Sequence, residues 1–203
     1  MTSPSLRPDT DRRRVVAALS ILAGSPLLVL ASRALAAARV PLSEVARPGR
    51  VLIIRHAQAP GIGDPPEFRI GDCMTQRNLD EAGRAQAGRI GQRLRQAGVV
   101  RAQVWSSQWC RCLDTARLLE LGPASELPAL NSFFGRPEVR EAQLAALRVF
   151  LAGLPAGGLP VVLVTHQVVI TALTGLGVAS GGGAVLQLNG TGTPRLLGEI
   201  EVD

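Results

Sequence analysis

The two histidines of the chain, His56 and His166, both come directly after short aliphatic runs, residues 51–54 and 161–164. Such continuous runs are typical of strands that are buried on both faces of a sheet. In open α/β sheets the ligand crevice lies beyond the carboxyl ends of the strands. A lone histidine is more often a core or surface residue, but two histidines in the same kind of position indicate that they meet in one crevice.

Two arginines accompany these histidines. Arg55 precedes His56, and Arg111 lies in the first turn of a predicted helix that follows a third strand-like segment, residues 104–106. A helix start offers free backbone N–H groups and the positive end of the helix dipole, both of which favour an anion. Guanidinium groups bind phosphate oxygens in pairs and keep their charge when buried. Together these residues predict a phosphate site, although either arginine taken alone is equally consistent with a solvated or ion-paired side chain.

The elements that must position these residues alternate between strands and amphipathic helices. One helix is predicted to begin at an Asp80 cap and to end at Gly98, and a helix near Pro137 begins with acidic residues in its first turn. The predicted helices cover about residues 80–97, 109–121, 137–151 and 167–176, and two further strands, residues 184–188 and 196–202, are joined by an Asn-Gly-Thr-Gly turn. This alternation predicts a three-layer α/β/α sandwich with a mainly parallel central sheet.

The pattern of residues 1–36 is typical of an export signal, so we do not expect this segment to be part of the fold. Three arginines at 12–14 precede an apolar stretch at 15–30, and Ala-Leu-Ala at 34–36 supplies a cleavage site, so we expect cleavage after Ala36. The arginine run also resembles a twin-arginine signal. Export would place the domain in the periplasm or outside the cell, with no stable membrane partner after cleavage. The alternative is an N-terminal membrane anchor, but the apolar stretch is shorter than the roughly 20 residues that span a bilayer.

The composition describes a chain of 203 residues whose 22 basic residues are all arginine, with a formal charge of +6. Without residues 1–36 the chain keeps 17 arginines and 14 acidic residues, so half of that charge belongs to the predicted signal. Because the six aromatic residues are not interleaved with the arginines, we expect no nucleic-acid partner. We expect residues 37–48 to form a linker and residues 49–203 to form one domain.

Four segments carry the residues named above. They are Leu-Ile-Ile-Arg-His-Ala at 52–57, Asn-Leu-Asp-Glu-Ala-Gly-Arg-Ala-Gln-Ala at 78–87, Ser-Ser-Gln-Trp-Cys-Arg-Cys-Leu-Asp-Thr-Ala at 106–116 and Val-Thr-His-Gln at 164–167. In this order they resemble the Arg-His-Gly, Leu-Thr-x-x-Gly-x-x-Gln-Ala, Ser-x-x-x-Arg-x-x-x-Thr-Ala and Ser-His-Gly segments of the histidine phosphatase superfamily. The resemblance covers nearly all of residues 50–175 and implies a phosphoglycerate-mutase-like fold.

The resemblance also implies an activity and a role for each site residue. It implies a phosphatase of small phosphorylated compounds that needs no cofactor, with His56 and His166 as catalytic residues, and the predicted signal adds that this phosphatase is exported. His56 would be the nucleophile that forms a phosphohistidine, while Arg55, Arg111 and His166 would hold the phosphoryl oxygens. This agrees with the physics, because phosphoryl transfer needs mainly positioning and charge stabilisation. No metal is expected, since two histidines without a carboxylate partner are a poor metal site.

The sequence departs from the family pattern at three places, two beside the histidines and one in the segment that often carries the general acid. Ala57 and Gln167 stand where the family usually has glycine, which narrows the space beside each histidine. Residues 130–135 correspond to a family segment that often carries the general acid, but they contain no acidic residue. The alternative proton donors are Asp64, Glu67, Asp72 and Glu138, the last of which also suits a helix start. The alternative function is a non-catalytic phosphate-binding protein that lacks a general acid.

Two loops are predicted to determine which substrate fits. Residues 59–77 follow the first histidine, and residues 131–137 precede the third predicted helix. We expect both segments to line the pocket. Phe133 and Phe134 are candidate walls, although a pair of phenylalanines more often belongs to a core. The identity of the substrate does not follow from these residues.

The three cysteines offer a link between the first of these loops and the Arg111 helix. Export would place them in an oxidising compartment, where Cys73 can pair with Cys110 or with Cys112. Cys110 and Cys112 are two residues apart on a predicted helix and point to different sides, so they are poor partners for each other. Either of the two remaining bridges would tie the loop after His56 to the start of that helix.

Overall fold

The computed structural model describes residues 38–200, so the predicted signal at 1–36 lies outside the described residues. In chain order the elements are β1 (Arg50–Arg55), α1 (Glu81–Gln96), β2 (Gln103–Ser106), α2 (Cys110–Leu118), β3 (Ala124–Glu126), α3 (Arg140–Gly153), β4 (Val161–Thr165), α4 (Gln167–Thr174), β5 (Gly183–Gln187) and β6 (Arg195–Ile200). Short 3-10 turns occur at Leu42–Ala46, Cys73–Thr75, Pro128–Leu130 and Pro137–Val139. Within the described range, no helix has both the length and the apolar character that a membrane span requires.

The six strands form one sheet in the order β3-β2-β4-β1-β5-β6. Strands β3, β2, β4 and β1 pair in parallel, while β5 is antiparallel to both β1 and β6. The prediction of a mainly parallel sheet is therefore confirmed. The order places β2, β4 and β1 side by side, so Ser107, His166 and His56, which directly follow these strands, come to the same edge of the sheet.

Helices cover both faces of this sheet and complete the predicted three layers. Ile90 of α1 packs in the same core cluster as Leu52 of β1, whereas Leu147 of α3 packs in the cluster that contains Ile53. Successive residues of a strand point to opposite faces, so the aliphatic run 51–54 contributes to both cores. This explains why the run is continuous rather than alternating.

Helix α1 begins and ends at the predicted residues. The Asp80 carboxylate accepts a hydrogen bond from the Gly83 N–H at 2.7 Å, and Gly98 follows the helix with a φ of 95°. Gly83 also permits a close approach, because a Cβ there would lie 1.9 Å from the Gln58 carbonyl oxygen. The first turn of α1 thus packs directly against the chain that leaves His56.

Residues 38–48 pack onto the domain, which corrects the linker predicted at 37–48. The Val40 N–H donates to the Glu199 carbonyl at 3.1 Å, and the Glu199 N–H donates to the Ala38 carbonyl at 2.9 Å, so this segment runs along β6. The turn at Leu42–Ala46 then buries Val45 completely in a core cluster. Prolines and mixed charge do predict irregular chain here, but they do not reveal that one apolar side chain anchors it.

Candidate active site

The carboxyl ends of β1, β4 and β2 bring the histidines together. Backbone pairing continues one residue beyond the strands, with the His56 N–H donating to the Thr165 carbonyl and the Ser107 N–H to the Val164 carbonyl, both at 2.9 Å. The imidazole rings of His56 and His166 meet edge to face with their centroids 5.5 Å apart. The sheet register therefore produces the shared crevice that the sequence predicts.

His56 is held in the form that a nucleophile needs. Its Nδ1 lies 2.8 Å from the Ala57 carbonyl oxygen, and because a carbonyl only accepts, Nδ1 carries the proton and Nε2 keeps its lone pair. Burial lowers the pKa of His56 to about 3, and the charge of Arg111 acts in the same direction, whereas the bond to Ala57 opposes the shift. At neutral pH this imidazole is uncharged.

His166 is fixed by polar groups on both ring nitrogens. Nδ1 lies 3.5 Å from a guanidinium nitrogen of Arg111, which only donates, so Nε2 carries the proton and donates to the Ser107 hydroxyl at 2.8 Å. Ser107 in turn donates to the Asn131 side-chain oxygen at 3.2 Å. The pKa of His166 lies well below its ordinary value, mainly because the ring is buried and secondly because of the positive charge of Arg111. Sequence reasoning assigned no role to Ser107 or Asn131, because hydroxyl and amide groups are common and only the tertiary contact identifies them.

Four arginines line the cavity that opens beside the histidines, and, in addition to burial, three of them, Arg55, Arg77 and Arg111, lower the pKa of both histidines through their charge. Burial, and then the charge of Arg111, lower the pKa of both Arg55 and Arg77. These cations therefore crowd one another, and an anion bound among them would relieve the repulsion. Arg55 and Arg111 lie where the sequence predicts them. Arg77 falls in the predicted pocket loop, but no spacing distinguishes it from the other arginines.

Asp64 alone of the four candidate carboxylates, all of which are described, lines this cavity. It accepts hydrogen bonds from both terminal nitrogens of Arg111, at 2.7 and 3.0 Å, and from the indole N–H of Trp109 at 3.0 Å. The Arg77 backbone N–H adds a further bond at 3.1 Å. Burial opposes ionisation of Asp64, but these bonds and the charge of Arg111 outweigh it and hold the pKa of the carboxyl below its ordinary value. Asp64 is thus the ionised partner of Arg111.

The other three carboxylates do not line the cavity. Asp72 accepts from the Met74 N–H and pairs with Arg69 at 2.8 Å, so it organises its own turn. Glu138 is exposed at the start of the turn Pro137–Val139, the helix-start position noted from the sequence. Glu67 is exposed as well. Of the proton donors left open by the sequence, only Asp64 lines the cavity together with the histidines and Arg111.

The cavity has a volume of about 550 Å³ and receives residues from both predicted loops. Its apolar lining comprises Ile62, Pro65, Pro66, Phe68, Trp109, Phe134 and Val168. Of the two candidate walls, Phe134 lines the cavity, whereas Phe133 is buried in the core cluster beside α3. Gln167, which replaces a family glycine, also lines it, while Ala57 is completely buried.

A disulfide between Cys73 and Cys110 ties the first loop to the start of α2. This is one of the two pairings that the sequence leaves open. The loop has a second anchor in Arg77, whose Nε–H donates to the Gly63 carbonyl at 2.7 Å. Cys112 remains an unpaired thiol with its sulfur 3.4 Å from Nε2 of His166, and burial raises its pKa to about 12. The thiol therefore stays protonated.

Comparison with known proteins agrees with this geometry. The model of the histidine phosphatase superfamily (branch 1) matches residues 51–145, which include His56 and Arg111. The resemblance to the histidine phosphatase superfamily is confirmed. No curated protein sequence matches the chain.

Solved histidine phosphatase structures share the fold. The putative phosphohistidine phosphatase SixA from Agrobacterium tumefaciens is 23% identical, with 76% of this chain and 99% of that one covered and a TM-score of 0.51. The protein histidine phosphatase SixA complexed with tungstate is 17% identical over 75% and 97%, with a TM-score of 0.50. A mycobacterial glucosyl-3-phosphoglycerate phosphatase with inorganic phosphate is 20% identical over 72% and 93%, with a TM-score of 0.51. At these identities the similarity establishes the fold alone.

Proposed function

We propose that the chain is a phosphatase that hydrolyses a small phosphorylated compound through a phosphohistidine at His56. The observation that carries this proposal is a neutral His56, with its proton on Nδ1 and the lone pair on Nε2, beside Arg55, Arg77 and Arg111. Such a site supplies both a nucleophile and fixed positive charge for the transferring phosphoryl group. The neighbours solved with tungstate and with inorganic phosphate support a small phosphorylated substrate.

Two displacement steps at phosphorus account for the hydrolysis. First, Nε2 of His56 attacks, the bond to the substrate oxygen breaks, and that oxygen leaves with the electron pair and takes up a proton. Then water attacks, the P–N bond breaks and the pair returns to Nε2, while the water gives up a proton. Arg55, Arg111 and His166 would hold the phosphoryl oxygens. For His166 to donate through Nδ1, the Ser107 hydroxyl must donate to Nε2 and give up its bond to Asn131, and the Arg111 guanidinium must turn from Nδ1 to the phosphoryl group.

We assign the proton transfers to Asp64. A phosphoryl group that binds Arg111 competes with Asp64 for the guanidinium and brings a second negative charge close to it. Both effects raise the pKa of the carboxyl, so substrate binding favours the protonated form. Asp64 then protonates the leaving oxygen and, as the carboxylate, accepts the proton of the attacking water.

The decisive experiment compares the chain with His56→Ala on p-nitrophenyl phosphate and several phosphorylated metabolites. We expect kcat to fall by at least about 10³-fold, since the covalent path is lost. An alkaline quench with ³²P-labelled substrate should trap phosphohistidine in the unsubstituted chain only. Turnover that survives the substitution would overturn the mechanism. Phosphate binding with no turnover on any substrate would instead support the non-catalytic phosphate-binding alternative.

We further propose that the domain acts after export, in the periplasm or outside the cell. The disulfide between Cys73 and Cys110 supports this, because disulfides persist mainly in oxidising compartments. Cleavage after Ala36 stays a prediction. Mass spectrometry of the protein recovered from periplasmic and membrane fractions tests it, and full-length chain found only in membranes would support the anchored alternative.

A further inference from the structure

We propose that the group from which this site removes phosphate is an apolar alcohol, alkyl or aryl, rather than a sugar or polyol. The proposal rests on the proposed phosphatase function and assigns the substrate class of the same cavity. It follows from the contrast between the buried, charged end of the cavity and its exposed, apolar end.

The cavity changes in character from its floor to its mouth. At the floor, His56 and Arg111 are 2% and 3% exposed. At the mouth, Ile62 is 92% exposed and Phe134 is 61% exposed, and both line the same cavity. Between them, the Phe68 ring packs on Trp109 with a centroid distance of 5.5 Å. A phosphoryl group on the floor would therefore extend its ester substituent along apolar walls.

Ile62 and Phe134, the exposed apolar side chains at the mouth, form a rim whose position is set by neighbouring contacts. A Cβ added to Gly63, next to Ile62, would lie 3.8 Å from the Phe134 ring, so the two loops approach each other closely. The Arg77 side chain donates a hydrogen bond to the Gly63 carbonyl, and the neighbouring Asp64 forms an ion pair with Arg111. Large apolar side chains that the protein keeps exposed to solvent at the opening of a cavity indicate a binding surface.

The polar side chains near the mouth are largely engaged within the protein. The Ser132 hydroxyl accepts from the Phe134 N–H at 3.2 Å. The Gln167 amide donates to the Leu176 carbonyl and accepts from the Val178 N–H, at 3.1 and 3.0 Å.

Outside the group formed by the histidines, Asp64, Arg55, Arg77 and Arg111, the remaining polar side chain of the lining is that of Arg136, which is exposed on the turn that follows Phe134. A sugar presents a hydroxyl on nearly every carbon, and each hydroxyl that leaves water needs a partner. One guanidinium cannot satisfy that set, whereas the rim can cover an alkyl chain or an aromatic ring.

The test measures the affinity of n-alkylphosphonates, from propyl to heptyl, by calorimetry. These compounds keep the phosphoryl-like anion but have no P–O–C bond to hydrolyse, so the measurement does not depend on turnover. We expect each added methylene to tighten binding about two- to fourfold while it stays on the rim. Affinity that is independent of chain length, or 3,4-dihydroxybutylphosphonate binding more tightly than butylphosphonate, would overturn the proposal.

Variants on the same loops localise the effect. Ile62→Ser and Phe134→Ala should flatten the dependence on chain length. Met74→Ser is the matched control, because Met74 is 95% exposed on the loop that contains Ile62 but does not line the cavity. If Met74→Ser flattens the dependence equally, the rim is not the binding surface.

Kinetics on propyl and heptyl phosphate separate the two proposals. If neither ester is turned over but phosphonate affinity rises with chain length, the phosphatase proposal is wrong and the proposed apolar specificity stands. Equal kcat/KM for both esters and glycerol 3-phosphate would keep the phosphatase and reject the apolar specificity.

Discussion

The floor and the mouth of the cavity are positioned by different kinds of interaction. The floor residues follow three adjacent strands, and backbone hydrogen bonds of 2.9 Å extend the sheet register to His56 and Ser107. The mouth belongs to irregular chain that is held by side-chain anchors, namely the Arg77 contacts and the bridge at Cys73. The proposed catalytic geometry is therefore distributed over a cooperative sheet, whereas the proposed substrate-selecting surface depends on a few bonds that can be removed one at a time.

Arg111 joins the two regions, so its loss should have the largest effect. In Arg111→Met the phosphoryl group loses a main cation, and Asp64 keeps a partly buried charge without its ion-pair partner. We expect kcat/KM to fall at least about 10³-fold and the free energy of unfolding to fall by about 3–5 kcal/mol. Adding Asp64→Asn should restore much of the stability but none of the activity. Activity within tenfold of the starting chain would show that the floor works without this link.

Asp64→Asn alone tests whether the loop contributes chemistry as well as shape. Its expected effect depends on the leaving group, because only a poor leaving group needs a proton. We expect kcat/KM to fall about 10²-fold for propyl phosphate and less than about tenfold for p-nitrophenyl phosphate. Equal losses for both esters would mean that Asp64 only positions Arg111.

Removing the disulfide should loosen the mouth and leave the floor intact. For Cys73→Ser combined with Cys110→Ser we expect the free energy of unfolding in urea to fall by about 2–4 kcal/mol. KM for heptyl phosphate should rise much more than kcat falls, since the sheet still holds His56. Dithiothreitol treatment of the unsubstituted chain is the matched control and should reproduce the KM change. A fall in kcat as large as the rise in KM would remove the distinction between the two regions.

Acid should weaken the fold through the floor histidines. Their folded-state pKa values lie below the ordinary 6.5, at about 3 for His56, so below about pH 6.5 the unfolded chain binds protons that the folded one does not. Stability should therefore decrease as the pH falls from about 6.5 towards 3, with a slope that approaches about 1.4 kcal/mol per pH unit for each histidine. Urea unfolding at pH 7, 6 and 5 measures this slope, and His56→Asn should reduce it by about half. A slope that the substitution leaves unchanged would contradict the assignment.

The floor and the mouth of the cavity also differ in how well the sequence predicts them. The floor was predictable because buried parallel strands need continuous aliphatic runs, and His56 and His166 stand directly after two of them. The three-residue strand β3 was missed because it is too short to show a period. Phe133 and Phe134 are consecutive in irregular chain, and only tertiary packing buries one and exposes the other.

The residues of the mouth left even weaker signals. Arg77 is one of many arginines, and Asp64 was one of four candidate carboxylates. Cys110 and Cys112 flank Arg111 symmetrically, so spacing left both pairings with Cys73 open. Each of these choices is made by contacts between segments that are distant along the chain, which local pattern does not encode.

The backbone contact between residues 38–40 and β6 bears on how copies of this protein behave towards one another. An uncovered outer strand presents free N–H and carbonyl groups that pair readily with another chain. Here the absent side chain of Gly198 admits the Ala38 carbonyl, where a Cβ would lie 1.9 Å from that oxygen. A cut after Ala36 keeps this cover on the sheet, whereas trimming beyond Val40 would bare β6 and leave the protein prone to aggregate.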